Sequence, residues 1–131
     1  MTMKGFTLLE IMIACALVAV LTALAYPSYS ENVKDSRRSD AKRSLIEAAQ
    51  SMERYYSMNS MSYAGATPLQ IAGSDKIPRD GSDRYYTLSI SAAQNTYTLQ
   101  AVPSGAQAGD RCGTLTFNRN GTRSAALSTC W

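Results

Sequence analysis

Apolar positions run almost unbroken from Phe6 to Tyr26, interrupted only by Thr7, Glu10 and Thr22. These 21 residues match the roughly 20 that a helix needs to cross a hydrocarbon core. After Tyr26 the chain turns polar but keeps helical spacing: Val33, Ala41, Leu45, Ala48, Met52 and Tyr55 fall on one stripe. Glu31, Lys34, Asp35, Arg38, Lys42, Glu47 and Arg54 take the other faces, which predicts a solvated surface over a packed one. Pro27 is expected to kink the helix rather than end it, because favourable sequence resumes at once. One helix from Phe6 to Met58 would be about 80 Å long. A chain this short has no core to cover such a helix, so its apolar half must bury itself in lipid or in other copies.

Asn59-Ser60 starts a break, and residues 59–83 are rich in Ser, Gly, Ala, Asp and Pro, the composition of a connecting loop. Arg84 to Ser91 then alternates, with Tyr86, Leu88 and Ile90 on one face. Thr96 to Val102 repeats the pattern with Tyr97, Leu99 and Ala101, and Ala92 to Asn95 fits the turn between the two strands. After a loop from Pro103 to Arg111, Thr114 to Asn118 puts Leu115 and Phe117 on one side; Asn120-Gly121 is a turn signal, and Thr122 to Ala125 can pair back. The expected fold is α+β: a long kinked N-terminal helix, with a transmembrane half and an amphipathic half, packed on a three- or four-stranded antiparallel sheet.

Glu10 is the chemical anomaly. A carboxylate inside an apolar span is expensive and marks function by default. The other signals mostly exclude. The net charge is +3, or +2 once Lys4 is removed, too small by itself to imply a nucleic-acid partner. The chain has no His, so Ser-His-Asp and Cys-His chemistry is impossible, and no Gly-rich phosphate loop is present. No enzyme, metal site or cofactor is expected. Asn120-Gly121-Thr122 also matches a glycosylation acceptor, but the hairpin turn already explains it. Cys15 lies in the apolar run and reads as a small hydrophobe. Cys112 and Cys130, with 17 residues between them, read as one disulfide in an oxidising compartment. Two lone cysteines cannot fill a zinc shell. Lys34, Arg37 and Arg38 follow the span and only Lys4 precedes it, so a plain positive-inside count puts the C-terminal part in the cytoplasm. The cysteines argue the opposite. A cleaved secretory signal fits poorly, since Ala23-Leu24-Ala25 is followed by Tyr26-Pro27.

Gly5-Phe6-Thr7-Leu8-Leu9-Glu10, behind a short basic leader and ahead of the apolar run, closely resembles the prepilin signature of type IV pilins and related pseudopilins. Tyr26-Pro27-Ser28-Tyr29 looks like the kinked continuation of the pilin helix, and the resemblance then extends over the whole chain. Glu53-Arg54-Tyr55-Tyr56, Tyr63-Ala64-Gly65-Ala66, Cys112-Gly113-Thr114-Leu115-Thr116, Asn120-Gly121-Thr122 and Cys130-Trp131 resemble the PilE-type minor pilins, a group similar to the DNA-uptake competence pilins of the ComP kind.

The resemblance implies a leader (1–5), a membrane and filament-core helix (6–27), an amphipathic half (28–58), a connecting loop (59–83) and a sheet head with a disulfide loop (84–131). It implies that a prepilin peptidase cuts between Gly5 and Phe6 and methylates the Phe6 amine. Glu10 would pair with the Phe6 amine of a neighbouring copy, removing an isolated buried charge and setting the stagger between subunits. The head would lie in the periplasm, with the subunit held in the inner membrane before assembly and in an extracellular filament afterwards. Partners would be other pilins and the inner-membrane assembly machinery. The leading expectation is a minor pilin that helps initiate filaments for twitching motility, adhesion or DNA uptake. Three alternatives stay open: a major pilin, a type II secretion pseudopilin, and a DNA-binding pilin using Arg79, Arg84, Arg111, Arg119 and Arg123 with Lys76. In the last reading Asp75, Asp80, Asp83 and Asp110 dilute the charge.

Overall fold

The computed structural model describes residues 5–131; Met1 to Lys4, most of the expected leader, lie outside the described residues. Two compact units divide the chain, Met1–Val33 and Lys34–Trp131, and helix α1 (Leu8–Met58) contributes to both.

In the first unit α1 is bare. Leu8, Leu9, Met12, Leu17, Val20, Leu21 and Leu24 are each at least 60% exposed, and an 18-residue window reaches a mean hydropathy of 2.5. The helix starts at a reciprocal cap. The Glu10 backbone N–H donates to Thr7 Oγ1 at 3.3 Å, and the Thr7 N–H donates to Glu10 Oε2 at 3.3 Å. Ser/Thr-x-x-Glu caps satisfy two backbone donors that a helix start otherwise leaves orphaned. The helix continues through Pro27.

In the second unit the remainder of α1 supplies one wall of a core. Ala41, Leu45, Ala48, Ala49 and Met52 are buried, and Tyr55 is half-buried, as the apolar stripe predicts. The other wall is a five-stranded antiparallel sheet in the order β1-β2-β3-β4-β5: β1 Lys76–Ile77, β2 Tyr86–Ala92, β3 Tyr97–Pro103, β4 Leu115–Asn118 and β5 Arg123–Ser124. Leu88 pairs with Ala101 and Ala101 with Leu115; Ile90 pairs with Leu99 and Leu99 with Phe117. The register therefore lines up the inward side chains of three strands, as period-two alternation requires. Leu45, Leu99 and Leu115 are fully buried, each contributing about 2 kcal/mol of apolar burial.

Five strands replace the expected three or four. The extra strand, β1, is two residues inside the segment read as loop, too short to show alternation, and it exists through pairing with Tyr86 and Thr87. The same segment holds a short helix α2, Pro68–Ala72. Thr67 and Gln70 cap its start, and Gly73 (φ +74°) closes it in the left-handed conformation that glycine adopts without strain.

Candidate functional site

In the first unit, Gly5 and Phe6 precede the helix and both are exposed, Phe6 at 82%. Glu10 is exposed, and its carboxylate accepts from both the backbone N–H and the hydroxyl of Thr7, each at 3.3 Å. A single copy of the chain thus already gives Glu10 a local partner. The Thr7-x-x-Glu10 spacing is itself a legible capping signature.

In the second unit, the groups expected to form a basic patch do not converge. Arg79 pairs with Glu47 and donates to the Ala72 carbonyl at 3.1 Å. Arg84 pairs with Asp75 at 3.0 Å. Both belong to the β1–β2 side of the sheet. Arg119 and Arg123 belong to the β4–β5 hairpin at the opposite edge. Arg119 donates to the Asn95 carbonyl at 2.8 Å and lies 5.5 Å from the Tyr63 ring. Arg123 lies 6.0 Å from the Phe117 ring and 5.6 Å from Trp131. Arg111 is exposed and lines a cleft with Asp35, Arg38, Ser39, Lys42, Thr129 and the two disulfide cysteines. Lys76 donates to the Gly81 carbonyl.

Asp110 and Arg38 depart most from expectation. The sequence pattern puts Arg38 on the solvated face and Asp110 among the charges diluting a surface patch; both are buried. Arg38 Nε donates to Asp110 Oδ1 and Oδ2 at 3.1 and 2.9 Å, and Arg38 Nη2 pairs with Oδ1 as well. Arg38 Nη1 pairs with Asp35. The Tyr86 hydroxyl donates to Asp110 Oδ2 at 3.3 Å, and Gln107 Nε2 donates to Tyr86 Oη at 3.2 Å and to the Lys34 carbonyl at 3.3 Å. The Arg38 guanidinium holds the Asp110 carboxyl below the usual carboxylate range, against the opposing effect of burial. Burial pushes the Tyr86 phenol up. The sequence did hold a signal: position 38 lies three residues before Ala41 and seven before Leu45, on the buried stripe.

A second polar cluster joins α1 to the sheet. Tyr63 Oη donates to both Glu53 carboxylate oxygens at 3.0 Å and Tyr97 Oη donates to Oε1 at 3.3 Å. The Tyr63 ring stacks edge-on against Tyr97 at 4.9 Å and meets Tyr56 at 4.5 Å. Burial and the Glu53 charge raise both the Tyr63 and Tyr97 phenols. Cys112 and Cys130 are joined as a disulfide with a Cα–Cα distance of 5.7 Å, and Cys15 is a free, exposed thiol. Among the described residues no group of three or more His, Cys, Asp or Glu side chains gathers to hold a metal.

The chain's relatives agree with this architecture. Residues 27–116 match the family described as type IV minor pilin ComP, DNA uptake sequence receptor, and residues 1–26 match the prokaryotic N-terminal methylation motif. The type IV major pilin protein PilE1 of Neisseria gonorrhoeae is 30% identical over 102 residues, covering 78% of this chain and 45% of that protein. The fimbrial protein EcpC of Eikenella corrodens is 47% identical over 38 residues, 29% of this chain and 25% of that one. The chain thus spans less than half the length of both sequence relatives. A type IV pilin from Shewanella oneidensis superposes with a TM-score of 0.55 at 32% identity, covering 75% of this chain and 97% of the other. The Neisseria meningitidis non-core minor pilin PilV shares the fold, with a TM-score of 0.56 at 24% identity over 72% of this chain and 87% of the other. With residues 27–116 matched by that family and PilE1 30% identical over 78% of this chain, the chain belongs to the type IV pilins, in the group related to ComP.

Proposed function

We propose that this chain is a minor pilin: a structural subunit that helps initiate a type IV pilus and is incorporated into it, without catalysis of its own. The observation that carries this reading is the bare helix. From Leu8 to Leu24 the large apolar side chains are at least half exposed, and burying such a surface needs lipid or neighbouring pilins. In this reading residues 1–5 are a leader cut between Gly5 and Phe6 by a prepilin peptidase, which methylates Phe6. Residues 6–27 hold the subunit in the inner membrane and later form the filament core. Pro27 kinks the helix there, residues 28–58 continue it, residues 59–83 connect, and residues 84–131 form the head.

The head faces the periplasm, an oxidising compartment consistent with the Cys112–Cys130 bond. Once the helix leaves lipid for a filament core, Glu10 exchanges Thr7 for the Phe6 amine of a neighbour. Motor and platform proteins of the inner membrane supply the force, and the filament serves twitching motility, adhesion or DNA uptake. Glu10→Ala is expected to leave the head folded while its recovery in sheared filaments falls at least tenfold; wild-type recovery would remove the proposed role of Glu10.

The ComP match supports a second reading, capture of DNA. Arg119 beside Tyr63 and Arg123 beside Trp131 are its best-placed contacts, since Arg79 and Arg84 are engaged by Glu47 and Asp75. Phosphate contacts imply affinity that drops steeply with salt. Binding that is insensitive to salt, or unchanged in an Arg119→Ala/Arg123→Ala variant, would remove this reading.

A further inference from the structure

We infer that the Arg38–Asp110 pair positions Cys112 for its disulfide, docking the loop on α1 independently of the bond to Cys130. Asp110 lies two residues before Cys112 and is the junction of three elements. Arg38 reaches it from α1 and Tyr86 from β2, and Asp110 itself brings in the loop that carries Cys112. On the far side of the half-cystine, the Ala126 N–H donates to the Cys112 carbonyl at 3.0 Å, and the Gly113 N–H donates to the Asp110 carbonyl at 3.0 Å. None of these bonds involves sulfur. The Arg38 and Asp110 side chains are 4% and 0% exposed, so solvent screens their attraction little.

Cys130 is held separately. Its N–H donates to the Leu127 carbonyl at 3.1 Å, and Trp131 Nε1 donates to the Ser124 carbonyl at 2.7 Å. Each sulfur therefore sits on a backbone already fastened to the sheet or to α1. In a free loop, closing the gap of 18 positions would carry the full loop-closure entropy. Here the docked loop raises the effective concentration of one thiol at the other.

The bond forms by exchange with an oxidised low-molecular-weight disulfide. The two protein thiols give up two protons and two electrons and become one disulfide; the oxidant's S–S bond takes up both and becomes two thiols. Asp110 takes no part in that transfer and is a positioning residue.

The test uses the full chain in detergent, equilibrated in mixtures of reduced and oxidised glutathione. Thiols are then alkylated, and the Cys112–Cys130 fraction is read by mass spectrometry. Asp110→Asn is expected to lower the equilibrium constant for the bond about tenfold or more, because hydrogen bonds to a buried charge are lost. Tyr86→Phe, which removes one donor, is expected to lower it a few-fold. Asp75→Asn, at the exposed pair with Arg84, is the control and should match wild type. An Asp110→Asn value within twofold of wild type would overturn the inference. If that variant does not fold, the Cys112→Ser/Cys130→Ser protein decides by hydrogen exchange. Amides 112 and 113 should exchange at least tenfold more slowly than in unstructured chain, and exchange at the unstructured rate would overturn the inference as firmly.

Discussion

Changing Asp110 to Asn keeps the side chain's size and removes its charge, leaving buried Arg38 paired with the exposed carboxylate of Asp35. Asp35 is 59% exposed at its side chain and compensates weakly, because water screens that half of the interaction. Breaking a buried pair by removing one partner destabilises by about 3–5 kcal/mol. With Asp35 offsetting part of this, the expected loss is about 3 kcal/mol, a large share of the roughly 5–15 kcal/mol available to a domain. With a urea dependence of about 1.5 kcal/mol/M, the unfolding midpoint of the head should fall by about 2 M. The assay is urea titration of the full chain in mild detergent, followed by tryptophan fluorescence from Trp131, the single tryptophan. The double variant Arg38→Met/Asp110→Leu replaces charge with apolar volume and should recover at least half of the loss, since isosteric apolar replacements of buried pairs are often neutral. A midpoint shift under 0.5 M for Asp110→Asn would refute the reasoning that this pair fastens the loop to α1. Acid should act in the same direction. The folded carboxyl titrates below its unfolded value, so its contribution is complete above about pH 5 and is lost as pH falls through the depressed folded pKa.

Other changes are expected to report on the core, the backbone and the phenols. Leu45→Ala and Leu99→Ala, each at a fully buried position, should each lower stability by about 2–5 kcal/mol in the same titration. Gly105 has φ +54°, and a Cβ there would meet the Arg84 carbonyl oxygen at 2.8 Å. Gly105→Ala should therefore lose about 1–3 kcal/mol, whereas Gly121→Ala (φ +79°, open space) should lose less. Tyr63, Tyr86 and Tyr97 have raised folded pKa values, so the stability they add is complete below the ordinary phenol value near 10 and is lost as pH rises through the folded values. Their phenolate absorbance should appear only as the head unfolds.

Most of the fold is legible in periodicity, because each long element buries one face. The stripe through Ala41, Leu45, Ala48 and Met52 and the alternation through Tyr86, Leu88, Tyr97, Leu99 and Ala101 each name core residues directly. Strand β1 is not legible, since two residues carry no period and their pairing is set by β2. The capping boxes at Thr7–Glu10 and Thr67–Gln70 are legible as spacings, yet each is outweighed locally by a stronger signal, the apolar run in one case and the loop composition in the other. The Arg38–Asp110 pair illustrates the opposite limit. Arg38 occupies a core position by helical phase, but its partner lies 72 residues away in a loop whose path no local pattern specifies. The scatter of Arg79 and Arg84 from Arg119 and Arg123 has the same origin: sheet order, which assigns them to opposite edges, is a long-range property.

Mass spectrometry of filaments sheared from the cell surface, with this chain's peptides quantified against those of the other pilins, tests the central claim most directly. A minor pilin should appear with its N-terminus at methylated Phe6 and in trace amount. A dominant signal would make it the major subunit. Intact Met1 in cells with an active prepilin peptidase, with no signal from the filaments, would contradict the assembly account altogether.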